Sequence, residues 1–458
     1  MKFLKSDWLI IVGCCTALLL LWLPHLRDPI VSDTAVYAIL GEQLWQHGTY
    51  SLLGEPYAKH LPLHALLSYP FVRALGYGLG MKVSSLLAGW GVLIATFLLF
   101  AKMTTRKVAL LAVILLTFHH GFIFMTTLGS ADLLFTVLFL LSALAYLCAE
   151  GEKRWYLAAF VLAGLASLTR YNGVPLFALF LGHAFLYRRS DLRAVPFIGG
   201  LGLGLGLLGL WFLRNFLLFG NPLYSEYTAE LSEQSLGFFG QLLSNAIFYV
   251  HPLRNLLPIL LLCAVYGLLK HSRKQGFLVA VMLTAELLTS FWWVRGIRFA
   301  FPGYPILMGF AVLGLLDIVR LLRRPAAGWV LAGLIIFTHL SALCLYSYGS
   351  CNASVDRSLR VLPPDLGLSA EGFYTWGLAR DFIDAHASSG ASIDATSPLL
   401  AHVWQRGVFR EDLQVVESIE GLCPAYRIDT ESEGGAVVFH TEAAPVRYVH
   451  FFRCAGDR

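Results

Sequence analysis

The sequence predicts an all-α polytopic membrane protein that ends in a small α/β domain, and three observations predict it. Hydrophobic residues make up 57% of the chain and charged residues 14%, where a soluble chain carries about 25% charged. So few charges cannot cover a water-facing surface, and apolar side chains must therefore face lipid. Apolar runs long enough to cross a bilayer, roughly 17–25 residues each, follow one another with short polar breaks. Lys and Arg then collect in every second break.

The spans are read near 8–25, 84–101, 108–126, 131–149, 195–218, 253–270, 276–293, 300–319 and 327–346. The stretch 155–187 is too long for one helix and is interrupted at Arg170-Tyr171-Asn172-Gly173. Split in two, it brings the total to about eleven transmembrane helices. The first span has a basic lead, Lys2 and Lys5, but Pro24-His25-Leu26-Arg27-Asp28 follows it in place of a small-x-small cleavage site. It is read as a retained helix.

One face of this bundle is basic. Lys2 and Lys5, Lys102/Arg106/Lys107, Lys153/Arg154, Arg188/Arg189/Arg193, Lys270/Arg273/Lys274 and Arg320/Arg323/Arg324 all fall on the same side. The positive-inside rule puts that side, with the N-terminus, in the cytoplasm, and an odd number of helices puts the C-terminus outside. A bacterial inner membrane with a periplasmic outer face fits, as does an endoplasmic reticulum membrane. The net charge of +5 forms no clustered patch, so no nucleic-acid partner is expected.

Two segments outside the spans divide the chain into 1–347, the membrane domain, and 348–458, a soluble outer domain. Within the first, the loop 27–83 is amphipathic. Tyr37-Ala38-Ile39-Leu40 and Leu44-Trp45 recur at helical spacing, and Leu63 to Leu75 reads as a further helix. Such a loop suits the membrane surface, and loops of that length are usually functional. In the tail, 370–387 reads as an amphipathic helix, and Ser392–Ala395, Gln414–Val416, Ala436–Phe439 and Arg447–Phe452 read as strands. Of eight cysteines, Cys14, Cys15, Cys148, Cys263 and Cys344 lie in spans as small apolar fillers. Outside, Cys351, Cys423 and Cys454 stand where disulfides form, and a Cys423–Cys454 pairing is the expectation.

The candidate chemistry gathers at the outer ends of the spans. Asp33, in Ser32-Asp33-Thr34-Ala35-Val36-Tyr37, reads in two ways. As an N-cap it satisfies the free N–H groups of a helix starting at Thr34. As a general base it takes the proton of an attacking hydroxyl, for which its ordinary pKa of about 3.9 is low. Asp132, in Gly129-Ser130-Ala131-Asp132, faces the same side and also reads as cap or site. The same face holds Lys59, His60, Arg170, Arg214 and Arg298, where the positive-inside rule disfavours cations. Each alone can snorkel to the interface; together around two carboxylates they suit an anion such as a lipid-linked phosphate.

Other signals carry less. The run Gly199 to Gly209 lies in an apolar span, where glycine allows close helix packing. Glu286 sits mid-span, where a hydrogen bond inside the bundle is the simpler reading than a proton path. His119-His120 has no carboxylate or cysteine at ligand spacing, so no metal is assigned there, and no cofactor is expected. The sequon Asn352-Ala353-Ser354 is short enough to arise by chance.

This order of elements resembles the GT-C superfamily of membrane glycosyltransferases, specifically the family that includes protein O-mannosyltransferases and the lipid A aminoarabinose transferase. The resemblance runs to about residue 320 and rests on Asp33-Thr34-Ala35-Val36-Tyr37, His60-Leu61-Pro62-Leu63, Leu168-Thr169-Arg170-Tyr171, and Arg214-Asn215 with Gly220-Asn221-Pro222-Leu223-Tyr224. It implies inverting transfer of a sugar from a polyprenyl-phosphate carrier to a hydroxyl of a lipid, glycan or protein acceptor at the outer face. In that reading Asp33 is the base and Asp132 holds acceptor or donor sugar, with Tyr37 and Tyr171 beside them. Lys59 or His60, Arg170, Arg214 and Arg298 neutralise the leaving phosphate. Two departures stand out: the family's usual acidic pair is Asp33-Thr34, and the first proline of its Pro-Pro pair is Leu61. A transporter or flippase of an amphipathic substrate is the rival class, but it would place charges near the bilayer midplane.

Overall fold

The computed structural model describes residues 4–26, 30, 33–227, 237–250, 256–292, 297–346, 370–395, 397–432, 436–441 and 447–453. In chain order the helices are α1 (Lys5–Trp22), α2 (Asp33–His47), α3 (Pro62–Leu75), α4 (Tyr77–Met103), α5 (Arg106–Thr117), α6 (His120–Leu128) and α7 (Ala131–Cys148). There follow α8 (Trp155–Ser167), α9 (Pro175–Tyr187), α10 (Val195–Phe219), α11 (Phe238–Val250), α12 (Pro258–His271), α13 (Gly276–Glu286), α14 (Tyr304–Leu322) and α15 (Pro325–Tyr346).

Among the described residues, five helices are long and apolar enough to cross a membrane: α1, extended to His25, then α4, α7, α10 and the helical stretch Arg298–Leu322 that contains α14. The pair α5–α6 adds a sixth as a span bent by 63°. Shorter apolar helices, among them α8, α9, α11, α12 and α13, pack with these, and the chain is an integral membrane protein. The span read at 108–126 is thus two helices. His119 breaks it by capping α6, its Nδ1 accepting the Phe122 N–H at 3.3 Å. The stretch 155–187 divides at Arg170 as its sequence suggests. Helix α11 has no counterpart among the spans read from sequence.

The helices pack through small residues as well as large ones. On α10, Gly200 and Gly204 face α8, where a Cβ on Gly204 would lie 2.2 Å from the Phe160 carbonyl oxygen. Gly199, Gly202, Gly206 and Gly209 of the same run face open space. Only the glycines one helical turn apart serve the crossing. Glu286 accepts the Gly303 N–H at 3.2 Å, a bond inside the bundle.

The basic loops are neutralised by carboxylates on their own face. Arg106 pairs with Asp7, Lys153 with Asp191 at 2.5 Å, and Lys270 with Asp317 at 3.0 Å. The opposite end of the bundle carries the loop read at 27–83. It folds as α2, a short hairpin of β1 (Ser51–Leu52) and β2 (Glu55–Pro56), and α3. Buried Lys82 of α4 fastens the end of α1 beneath this loop, donating to the His25 carbonyl at 2.6 Å.

The tail carries α16 (Ala370–His386), β3 (Ser392–Asp394), α17 (Pro398–Gly407), β4 (Gln414–Val416), β5 (Ala425–Asp429), β6 (Ala436–His440) and β7 (Tyr448–Phe452). The strands form one sheet in the order β4-β3-β5-β7-β6. Strand β3 runs parallel to both of its neighbours, while β5–β7 and β6–β7 are antiparallel. Strand β5 and helix α17 are additions to the sequence reading. Val403 and Trp404 of α17 pack into the apolar cluster built around α2 and α3, so the tail rests on the amphipathic loop. Cys423 is disulfide-bonded; Cys351, Cys454 and the sequon at Asn352 lie outside the described residues.

Candidate functional site

A cavity of about 790 Å³ opens between the amphipathic loop and the ends of the bundle helices. Its lining includes Asp33, Tyr37, Lys59, His60, Asp132, Arg170, Tyr171 and Arg298. Eight of the nine residues singled out from sequence therefore share one cavity. Arg214 is the exception. It donates to the Tyr50 carbonyl at 2.9 Å and lines a separate, largely apolar cavity of about 730 Å³ with Leu207, Leu210, Trp211, Leu217 and Leu218. Facing the same side of the membrane did not fix its position around the bundle.

Asp33 is the first residue of α2. Its Oδ2 meets Arg298 Nη2 at 3.0 Å and its Oδ1 lies 3.6 Å from His60 Nε2. The 32% of its side chain that stays accessible is area turned to the cavity. Burial alone would raise its pKa. Arg298, then His60 and Lys59, outweigh burial and hold the carboxyl well below its ordinary value. His60 is fixed from its other nitrogen, since the Tyr57 hydroxyl lies 2.6 Å from Nδ1. The ring of Tyr37 packs on His60 with centroids 4.7 Å apart.

Asp132 lies in the first turn of α7 with its side chain 1% exposed. Gly129 ends α6 in the left-handed region at φ 73° and turns the chain into α7. A Cβ at Gly129 would meet Thr34 Cγ2 at 2.8 Å and Met81 Cβ at 2.9 Å, so both conformation and space require glycine. The Asp132 carboxylate accepts from Ser130 Oγ at 2.8 Å and pairs with Arg170. The Arg170 guanidinium also lies over the Phe299 ring at 5.5 Å.

Thr34, which stands where the second carboxylate of the acidic pair would be, is buried and donates to the Leu128 carbonyl at 2.8 Å. It ties α2 to the end of α6. His64 reinforces the same junction, with Nε2 3.0 Å from the Gly129 carbonyl. Burial brings the His64 pKa down to about 4, so its ring is neutral at ordinary pH.

The cavity also includes residues that sequence reasoning did not single out, notably Tyr227, Thr289, Trp292 and Phe299. Tyr227 takes the Lys59 ammonium against its ring at 5.5 Å. Asn172 reaches Thr289 Oγ1 at 3.2 Å, and Thr289 Oγ1 in turn donates to the Phe299 carbonyl at 3.1 Å. Tyr227 follows the Gly-Asn-Pro element closely, which is the one sequence signal that pointed near it.

His60 aside, Lys59, Arg170 and Arg298 exceed Asp33 and Asp132 by one positive charge. A cation-rich cavity with an ionised carboxylate attracts an anion and offers a proton acceptor beside it.

The family model described as dolichyl-phosphate-mannose-protein mannosyltransferase matches residues 71–211. No curated protein sequence matches the chain at a significant level. Among solved structures, ArnT from Cupriavidus metallidurans bound to undecaprenyl phosphate aligns with a TM-score of 0.57 at 14% identity, over 99% of both chains. The chain shares the fold of that structure along almost its whole length. The same fold is seen in the Archaeoglobus fulgidus oligosaccharyltransferase in complex with zinc and sulfate, with a TM-score of 0.57 at 14% identity. There the alignment covers 87% of this chain and 61% of that one. The archaeal AglB of the same organism, with an inhibitory peptide and a dolichol-phosphate, aligns with a TM-score of 0.51 at 12% identity, over 89% and 65% of the two chains.

Proposed function

We propose that this chain is a GT-C glycosyltransferase. It moves a sugar, with inversion, from a polyprenyl-phosphate-linked donor to a hydroxyl of a lipid, glycan or protein acceptor. The observation that carries the reading is the cavity in which Asp33 faces Arg298, His60 and Lys59. The GT-C fold supports it, as do the lipid phosphates named with ArnT and AglB.

In this mechanism Asp33 takes the proton of the acceptor hydroxyl as that oxygen attacks the anomeric carbon. The bond from that carbon to the phosphate oxygen breaks with its electron pair, and polyprenyl phosphate leaves. Fixed cations stabilise the charge that grows on it, which is the larger part of such catalysis. Lys59, Arg170 and Arg298 supply that charge, and Asp132 orients Arg170 and the bound sugar. The reading routes no step through a cofactor. The apolar cavity beside Arg214 suits the prenyl chain.

The resting arrangement makes Asp33 a weak base, because Arg298 stabilises its ionised form. A donor phosphate competes for Arg298 and Lys59. As the cations turn to the phosphate, the proton affinity of Asp33 rises toward the ordinary carboxylate range, since burial is then opposed chiefly by His60. The base is thus armed by the donor.

The reading puts the N-terminus in the cytoplasm, with the amphipathic loop, the cavity and the tail on the periplasmic side of a bacterial inner membrane. Purified protein given a polyprenyl-phosphate sugar and a mixture of acceptors tests it. Release of polyprenyl phosphate supports the enzyme. Movement of the intact lipid across a vesicle without cleavage supports a transporter instead.

A further inference from the structure

Away from this cavity, three histidines meet inside the bundle. His119 and His120 stand at the break between α5 and α6, and His339 comes from α15, 219 positions beyond His120. All three are buried, His119 to 0%, His120 to 4% and His339 to 1% exposure. The Nδ1 atoms of His120 and His339 lie 2.8 Å apart. The His119 ring sits against both, with centroids 4.9 Å from His120 and 4.6 Å from His339. One ligand nitrogen from each histidine lies within 4.8 Å of the others. His339 Nε2 is buried with no hydrogen-bond partner.

From this geometry we propose that His119, His120 and His339 form a binding site for a late transition-metal ion, Cu+ or Zn2+. Imidazole nitrogen is the ligand type both ions accept. The His120 and His339 Nδ1 atoms face one another at 2.8 Å and share one proton between two lone pairs. A cation taken up between them uses both lone pairs, with the His119 ring alongside.

Two ligand nitrogens at about 2.0–2.1 Å from a tetrahedral ion lie about 3.3 Å apart. The His120–His339 pair therefore opens by about half an ångström, and the wider separations, up to 4.8 Å, close onto the ion. The three ligands are neutral, so the ion keeps its full charge in an apolar surround, and the desolvation penalty grows with the square of that charge. The charge favours Cu+; the fourth position that Zn2+ needs favours it less.

The site acts on the fold. An ion there pins the 63° bend between α5 and α6 to α15. Helix α6 runs from that bend to Leu128 and Gly129, whose carbonyls receive Thr34 and approach His64. The metal therefore braces the floor of the cavity without entering it, and this inference stands independently of the proposed transfer reaction.

The test uses the full chain purified in detergent with an affinity tag free of histidine. It is incubated with Zn2+ or with Cu+ under reducing conditions, desalted, and assayed by mass spectrometry for metal per chain. Wild type should retain roughly one ion per chain of at least one metal, and that metal should raise its unfolding temperature. His120→Ala/His339→Ala should lose at least tenfold of the bound metal and all of the temperature shift. Co2+ binding to wild type should give the visible absorption of an imidazole-ligated ion. Wild type that holds no Cu+, Zn2+ or Co2+ after desalting overturns the proposal, whatever the variant does. Equal retention by a monodisperse double variant also overturns it.

Discussion

The Arg298 guanidinium holds the Asp33 carboxylate at 3.0 Å, and this one pair joins the amphipathic loop to the turn before α14. In the proposed reaction it brings the base and a phosphate-binding cation to the same point, and donor binding separates them, linking the arrival of one substrate to the activation of the other.

Replacing Arg298 should therefore change both rate and pH dependence. In Arg298→Ala we expect kcat to fall by about 10²-fold, the scale of losing one fixed group that stabilises developing charge. Asp33 must be ionised to act, and among its surroundings Arg298 does most to lower its pKa. Wild-type kcat/KM should stay level down to strongly acidic pH. The variant's acidic limb should move to higher pH. A kcat/KM profile from about pH 4 to pH 8 checks this; an unmoved limb would separate Arg298 from Asp33.

Arg170 and Asp132 form a pair with one partner almost wholly buried. Arg170→Ala leaves a carboxylate uncompensated, and losses of about 3–5 kcal/mol are typical of such a change. We expect Arg170→Ala to unfold at a clearly lower temperature in detergent, and Arg170→Met/Asp132→Leu to recover much of the difference. A double variant no more stable than the single one would show that the pair is not coupled.

The glycine run of α10 offers an internal control. Gly204→Ala forces a Cβ against the Phe160 carbonyl, whereas Gly206→Ala meets nothing within 4 Å. Overpacking of this kind costs about 1–3 kcal/mol. Thermal unfolding should show Gly204→Ala destabilised and Gly206→Ala unchanged or slightly stabilised.

Charge at helix ends was the most readable feature of the sequence, because cations on the disfavoured face demand an explanation. Asp33, Lys59, His60, Asp132, Arg170 and Arg298 were found in that way, and they share one cavity. Tyr227, Thr289 and Trp292 were not found, since aromatic and hydroxyl side chains at a membrane interface carry no distinctive spacing. Helix α11 escaped because Gln241, Ser244 and Asn245 interrupt its apolar run. Two of those interruptions are structural: Gln241 and Asn245 both donate to the Trp292 carbonyl, at 3.0 and 2.7 Å. Arg214 marks where that signal stops. Depth in the membrane is written in the sequence, but angular position around the bundle depends on packing. His339 lies too far from His119-His120 along the chain for any spacing rule to join them.

The most direct test of the account compares wild type with Asp33→Asn under saturating polyprenyl-phosphate sugar and a competent acceptor, with polyprenyl phosphate release as the signal. Asparagine keeps the shape of the side chain but cannot accept the proton. Release should fall by about 10²–10⁴-fold, the usual contribution of a positioned base, while the variant elutes and unfolds like wild type. Turnover by Asp33→Asn within about twofold of wild type, well short of a base's contribution, would contradict the central role given to Asp33.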